Sequence, residues 1–298
     1  MDVRGENQMA IQQPTFKRQR YLLSFLDQLA DEVGVTDLQK LVFWSMEMEE
    51  VSFYEFVPYL YGPYSFQLSE DIEFLARTGY LRLFRSGEKI HVGRQHQATG
   101  NSGHYVAAER GRALLRKTYL EYPYYALNSR ILEDLFRDPE LRKFKDTAER
   151  YQDDRPCLYT IGYEGRSIEA FINLLIKNNV RLLCDVRKNA ISRKFGFSKR
   201  KLESIMQATG IRYRHFPQLG IESARRKTLS AERGYSQLFS DYKRELSQNF
   251  ALVEDLLQEI KENKRVALMC FEKDPFMCHR HLVRDQVKER HGIQSADL

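Results

Sequence analysis

The sequence predicts an α/β domain with a mainly parallel sheet and helices on both faces, preceded by a mainly helical, winged-helix-like domain. Three observations carry this. The second half alternates strand-like and helix-like segments, and serial βα units pair their strands in parallel and place helices on the faces of the sheet. The first half runs helix, helix, strand, helix and then a two-stranded ribbon, the element order of a winged helix-turn-helix. At 298 residues, 42% apolar and 30% charged, the chain is long enough for two domains and is composed like a soluble globular protein.

The elements follow in order. "RYLLSFLDQLADEVG" places Leu22, Leu23, Leu26 and Leu29 on one helical face and stops at Gly34. Thr36 is expected to cap a second helix, "DLQKLVFWSMEME", with Leu38, Leu41, Val42 and Ser45 spaced for one side. "FYEFVPYLYGPYS" is extended and aromatic, broken by Pro58 and a Gly62-Pro63 turn. Ser65 then caps "FQLSEDIEFLARTG", whose Leu68, Ile72 and Leu75 form a stripe ending at Gly79. "YLRLF" and "HYVAAE" are strand candidates on either side of the polar loop "GRQHQATGNSG". These segments set a recognition domain at 18–120, behind a flexible 1–17 and ahead of a helical connector at 121–156. The third helix carries Glu70, Asp71 and Glu73 against Arg77, and acidic groups repel phosphate, so a protein partner suits it better than DNA.

From 157 to 298 the strands are "CLYTIGY", "VRLLCDVR", "IRYRHFP" and "RVALMCFE". The helices are "SIEAFINLLIKNN", "SKRKLESIMQATG", "YSQLFSDYKRELSQNFALVEDLLQEIKENK" and "CHRHLVRDQVKERHG". A parallel sheet takes ligands outside the carboxyl ends of its strands. The residues there are Gly162 to Gly165, Asp185 and Arg187, His215, and Cys270 to Glu272, so ionisable groups from separate strands are expected along one rim.

A net charge of +6 and a pI near 9.0 admit a polyanionic partner without establishing one. The charge is concentrated. Between Arg181 and Arg233 there are 14 Lys or Arg against 4 acidic residues. "RKNAISRKFGFSKRK" interleaves cations with Phe195 and Phe197, as expected where phosphates are held and bases stacked. No apolar run is long enough to span a membrane, the start lacks a signal-type apolar region, and four scattered cysteines form no disulfide framework. The expected setting is the cytoplasm, with reduced thiols.

The stretch "VALMCFEKDPFMCHRHLV", residues 266 to 283, allows three chemistries. Zinc is disfavoured: seven residues separate the cysteines, no C-x-x-C is present, and Cys278 and His279, adjacent in an expected helix, would point about 100° apart. A nucleophilic Cys270 has the strand–loop–helix layout of rhodaneses and cysteine phosphatases, but Glu272 and Asp274 would repel a thiolate and a phosphate. The third reading makes Asp185 and Glu272 the general base and acid, with His215 or His279 near. Arg187, Arg193 and Arg280 then hold an anion, and Cys278-His279-Arg280 open the helix that faces it.

"YTIGYEGRSIEAFINLL", "LLCDVRKNAISRKFGFSKRKLESIM", "IRYRHFPQLG" and "CFEKDPFMCHRHLV" resemble the family called domain of unknown function 488, over residues 158 to about 292. The family pattern falls on Gly162-Tyr163-Glu164, Asp185-Val186-Arg187, Arg193, Gly196-Phe197-Ser198, Tyr213, Leu219-Gly220, Cys270, Glu272 and Cys278-His279-Arg280, with "KNAIS" departing from the usual Ser or Asn-Pro. It implies a fold and a site rather than a reaction. Tyr163, Glu164, Phe197, Ser198, Lys199 and Tyr213 join the expected anion-binding set. Residues 18–120, with their "YGP" turn, resemble the antitoxin-like domain of Panacea and SocA type, which implies a prokaryotic phage-defence or toxin–antitoxin context.

The leading expectation is a protein directed at nucleic acid or nucleotides. As an enzyme it would be a hydrolase acting at a base or phosphate through Asp185 and Glu272, with no metal or other cofactor. Two readings stay beside it: a thiol-dependent enzyme using Cys270, and a non-catalytic nucleic-acid-binding regulator.

Overall fold

The computed structural model describes residues 13–29, 31–95, 103–222, 225, 232–248 and 250–298. The chain forms two units, one from residues 1–54 with 67–115, the other from 55–66 with 116–298. The segment expected as a connector, 121–156, lies within the second unit. The expected flexible N-terminus lies largely outside the described residues.

The first unit opens with α1 (Lys17–Asp27), which buries Tyr21, Leu22, Leu23, Phe25 and Leu26. A short strand β1 (Val33–Gly34) leads directly into α2 (Val35–Glu49). Gly34, extended at φ −62° and ψ 135°, is the residue before the helix, so Thr36 lies inside the first turn rather than capping it. Every residue of α2 from Leu38 to Met46 is buried, Lys40 included, so the helix is a core element and not an amphipathic surface one.

The hairpin β2 (Val57–Tyr59) and β3 (Gly62–Tyr64) belongs to the second unit. Pro58 and Pro63 sit opposite one another in its register, so neither breaks the pairing. Helix α3 (Phe66–Arg77) buries the expected Leu68, Ile72 and Leu75. It also buries Asp71, whose carboxylate accepts from Arg18 Nε at 2.6 Å, Gln19 Nε2 at 2.9 Å and the Tyr54 hydroxyl at 3.1 Å. One of the acidic groups counted against phosphate is therefore neutralised inside its own unit.

Strands β4 (Leu81–Ser86) and β5 (Lys89–Arg94) follow, and β5 also pairs with β1, giving an antiparallel sheet of order β1-β5-β4. The second ribbon strand is thus "KIHVGR" and not "HYVAAE", which forms no strand. The turn falls at Gly87, whose φ of +59° suits a tight hairpin. The polar loop "GRQHQATGNSG" lies mostly outside the described residues.

In the second unit, after α4 (Gly111–Glu121), come α5 (Leu132–Leu135) and α6 (Glu140–Glu149). They gather a small aromatic core in which Phe136 packs at 4.8 Å on Phe144 and at 6.4 Å on Tyr119. The α/β domain then reads β6 (Cys157–Gly162), α7 (Ile168–Lys177), β7 (Leu182–Asp185), α8 (Lys199–Ala208) and β8 (Arg212–His215). It continues with α9 (Glu232–Gln248), α10 (Phe250–Asn263), β9 (Arg265–Cys270), α11 (Arg280–His291) and β10 (Ser295–Asp297).

The five strands are parallel, in the order β10-β6-β9-β7-β8. Central β6 and β9 are buried along their whole length, while edge β8 alternates between exposed and half-buried. Alternation splits the core in two. Leu158, Leu182, Cys184, Val266 and Leu268 face α9, α10 and α11, and Tyr159, Ile161, Leu183, Ala267 and Met269 face α7 and α8. Strand β10 is an element the sequence did not offer. Among the described residues no helix is long and apolar enough to cross a membrane.

The chain leaves β7 toward the outer strand β8 and leaves β9 the other way, past β6 to β10. The carboxyl ends of β7 and β9 therefore flank a topological switch point, where such sheets open a crevice.

Candidate functional site

The crevice exists. A cleft of about 380 Å³ is lined by Arg187 to Asn189 and Ile191 to Arg193 from the segment after β7, by Cys270 to Glu272 from the end of β9, and by Tyr163 and Ile221. The strand-end residues gather as expected, but they divide into a buried frame and a cleft wall.

Asp185 is the centre of the frame, at 0% exposure. Its Oδ1 accepts from the Arg187 backbone N–H at 3.1 Å and from Arg187 Nε at 2.8 Å. Its Oδ2 accepts from Arg187 Nη2 at 2.5 Å and from the Tyr213 hydroxyl at 2.8 Å. A carboxylate offers about four acceptor positions, and here all are taken. Asp185 is therefore not placed as the expected general base; it orients Arg187. Burial raises the Tyr213 hydroxyl far above its ordinary range, and the Asp185 charge adds to this. Burial disfavours the Arg187 cation, but its bonds to Asp185 outweigh that, and Arg187 stays charged.

The rest of the frame is held the same way. Arg187 Nη1 donates to the Tyr163 hydroxyl at 3.1 Å and to the Phe197 carbonyl at 2.9 Å. The Tyr163 and Phe197 rings stack at 4.2 Å. Phe197 is fully buried, so it is not available for stacking on a base; Phe195 is half-buried beneath Lys201, 5.2 Å from its ring centre. His215 Nε2 donates to the Arg187 carbonyl at 2.8 Å, which makes it a support of that turn and not a member of the cleft wall.

Arg280, expected on an anion, is 1% exposed and fully engaged. Its Nε donates to Thr160 Oγ1 at 3.2 Å, and its Nη atoms donate to the carbonyls of Glu272 at 2.6 Å and Lys273 at 3.0 Å. It fixes the loop after β9. Glu164 Oε2 grips the same loop by accepting from the Lys273 N–H at 2.9 Å. Ser198 staples the other wall, donating to the Ser192 carbonyl at 2.8 Å and accepting from its N–H at 3.1 Å. Lys199 opens α8 and anchors it through its N–H to the Ala190 carbonyl at 2.8 Å.

What faces the opening is different in kind. Arg193 in the lining is exposed, as is Lys199 outside it, Lys188 stands 3.8 Å from Glu222, and Ile191 and Phe271 are 84% and 44% exposed at the rim. Asn189, Ile191, Ser192 and Ile221 are cleft residues that the sequence alone did not single out. The first three lie in the quoted basic run. Ile221 carries no polar signal that would have marked it.

In the cleft lining, Cys270 Sγ lies 3.3 Å from Glu272 Oε2, and it is 3.9 Å from Nδ1 of buried His279, as is Cys278 Sγ. The expected divergence of Cys278 and His279 does not occur. Cys278 has extended backbone (φ −134°, ψ 138°), and α11 starts only at Arg280. The two thiols are pushed in opposite directions. A hydrogen bond with Cys278, burial and the nearby Glu272 push the Cys270 thiol well above its ordinary range. Burial also acts against a Cys278 thiolate, but bonds from Cys270 and His279 and the charge of Arg280 outweigh it and draw that thiol down. The sulfur that lines the cleft is thus the protonated one, an arrangement that does not favour Cys270 as nucleophile.

Residues 167–287 match the family model described as Domain of unknown function DUF488. The C-terminal half carries a DUF488 domain. No curated protein and no solved structure matches the chain. The DUF488 match takes in both sides of the cleft, from Asp185 and Arg187 to Cys278, His279 and Arg280, and begins after Gly162-Tyr163-Glu164. It says nothing of the first 166 residues, so the likeness of the N-terminal half to an antitoxin-like domain gains no support from it.

The close fit of the loop over the DUF488 sheet gives one testable consequence. A Cβ on Gly162 would lie 1.8 Å from the Glu272 carbonyl oxygen, backbone against backbone. Gly162→Ala is therefore expected to displace the 271–274 loop and to cost about 1–3 kcal/mol, as overpacking does. Urea unfolding measures the cost. A variant of unchanged midpoint would show that the loop yields freely.

Proposed function

We propose that the cleft of the DUF488 domain binds a phosphate-bearing ligand, a nucleotide or a single strand of nucleic acid, and that Glu272 is its acid–base group. One observation carries the reading. At the switch point the strongly held groups are all turned to structure, while Arg193, in the same lining as Glu272, is left exposed, with Lys199 exposed at the start of α8 nearby in sequence. Cations with mobile side chains at an open cleft are what phosphate contacts use, and they leave sequence unread. Phe271, 44% exposed on the same wall, supplies a ring on which a base can stack. Asp185 has no part in proton transfer in this reading, and Glu272, half-buried and lining the cleft, takes that part alone.

The N-terminal unit is, in the same reading, a winged-helix-like module that recognises a protein partner. The order α1, β1, α2, α3, β4, β5 with β1 paired into the ribbon supports it. The exposed Glu73 and Phe74 on α3 suit a protein surface better than a phosphate backbone.

Fluorescence anisotropy of the full chain with labelled single-stranded DNA and RNA, across a salt series, tests the cleft. Binding is expected to weaken with salt, and Arg193→Ala/Lys199→Ala should lower the slope of log K against log salt by about 2, roughly one for each phosphate left without its cation. A denaturing gel of the same samples, with Glu272→Gln beside them, reports any product. Absence of binding to either strand type at low salt would remove nucleic acid from the reading, and nucleoside phosphates would be tried next.

A further inference from the structure

Cys270 in the cleft lining stands next to two buried donors that the anion reading leaves unused. Cys270 Sγ, Cys278 Sγ and His279 Nδ1 all lie within 4.8 Å of one another. They come from the end of β9 and from the residue pair before α11, with the short 3-10 turn Pro275–Met277 reversing the chain between them. His279 decides the character of the group. Its Nε2 is 2.9 Å from the Val186 carbonyl oxygen. A carbonyl only accepts, so Nε2 carries the hydrogen, and Nδ1 is the nitrogen turned to the two sulfurs, where it donates to a thiolate or gives up its proton to a metal ion. Histidines that bind metal are held in this way, one nitrogen on the ion and the other donating to a carbonyl that fixes the tautomer.

We propose that Cys270, Cys278 and His279 bind one Zn²⁺ ion, with a fourth position open to the cleft beside Glu272. Tetrahedral zinc with sulfur at about 2.3 Å and nitrogen at about 2.0 Å sets S and N about 3.5 Å apart. Both S to N separations are 3.9 Å, so each closes by about 0.4 Å, and the two sulfurs, within 4.8 Å of one another, close to about 3.8 Å. As plain core hydrogen bonds these contacts are at the outer limit for sulfur; as empty ligand positions they are ordinary. Binding displaces whatever protons the two sulfurs and Nδ1 hold, and the ion then neutralises two thiolates at the edge of the cleft. Three protein ligands with a place left over is the count of open zinc sites, whereas structural sites close with four. The direction of the open position follows from Cys270, which lines the cleft, and from Glu272 Oε2, 3.3 Å from its sulfur. A water on the ion would have that carboxylate to receive its proton.

The ion is detected without any nucleic acid, so this proposal and the anion reading stand or fall separately. The full chain is stripped with a chelator under a phosphine reductant and titrated with Co²⁺. Expected are tetrahedral d–d bands and a thiolate-to-cobalt charge-transfer band that saturate at one equivalent and are displaced by one equivalent of Zn²⁺. Cys278→Ser and His279→Ala should abolish or distort the spectrum. His281→Ala and Glu272→Gln should keep it, since His281 Nδ1 is turned to the Cys278 carbonyl at 2.6 Å and Glu272 is not a ligand. Far-UV circular dichroism establishes that each variant is folded. No spectrum from the reduced, folded wild-type chain at equimolar Co²⁺, or one unchanged in Cys278→Ser, would overturn the site. Loss of the spectrum in folded Glu272→Gln would overturn the open position, because it would make that carboxylate a fourth ligand.

Discussion

Asp185→Ala is expected to destabilise the second unit by about 3–5 kcal/mol, the cost of removing one partner from a buried ion pair. The reason is what remains. Arg187, 5% exposed, would keep its charge and lose both bonds of a bidentate pair, and Tyr213 would lose its acceptor. Arg187→Ala should cost a similar amount, since it leaves the Asp185 carboxylate buried with the Tyr213 hydroxyl as its remaining side-chain donor among these bonds. The double variant should lose less than the sum, because no unpaired charge survives, and a coupling energy of about 0.5–3 kcal/mol is the usual size for such neighbours. Urea unfolding of the four proteins completes the cycle. The alternative has a clear signature. An Asp185→Ala chain with an unchanged unfolding midpoint would mean that the frame does not depend on the pair, and would return Asp185 to the reactive groups.

The same residue shows how far the sequence could be read. Buried strands announce themselves by unbroken apolar runs, and "CLYTIG" and "RVALMC" are buried throughout. The strand-end rule then places the rim, since polar residues after such strands have one place to go. It gives residue types and not partner counts. Asp185 and Arg193 look equally functional in one dimension; only the fold shows that the first has four donors and the second faces the opening. One signal was present. Residues two apart at a strand end share a face, so Asp185 and Arg187 were already placed to pair.

Where sequence and structure part, a short element or a boundary is at fault. Strand β10, Ser-Ala-Asp, has no apolar pattern and is held by pairing with β6 and by a bond between the Thr160 hydroxyl and Asp297 at 2.6 Å. "HYVAAE" outscores "KIHVGR" on apolar content, although the hairpin is set by the turn at Gly87. Starting α11 at Cys278, two residues early, turns a convergent pair of ligand candidates into a divergent one. In the N-terminal unit, "DLQKLVF" suggests a helix with one apolar side, which leaves Lys40 to the other. The structure buries that side as well.

Lys40 therefore makes a large expected pH effect in the first unit. It is 2% exposed within α2, and burial lowers its ammonium from the ordinary 10.5 to about 7, against a smaller opposing pull from Asp37. Between those values the unfolded chain holds a proton that the folded one does not, so stability must rise with pH across the window. Below about 7 both states are protonated and the cost of burying the charge is felt in full. The whole span corresponds to roughly 5 kcal/mol, with a slope approaching about 1.4 kcal/mol per pH unit. The urea midpoint of the first unit should accordingly be higher at pH 9 than at pH 7. Lys40→Met removes the titrating group while filling the same space, so it should flatten the dependence and raise stability at pH 7 by about 2–5 kcal/mol. Comparing the two proteins at each pH cancels the tyrosines and other groups that titrate nearby. A wild-type midpoint that falls between pH 7 and 9 relative to Lys40→Met would reverse the sign and place the ammonium in contact with water or with an anion. A lysine kept at such cost in a core helix would then have a ligand to answer for it.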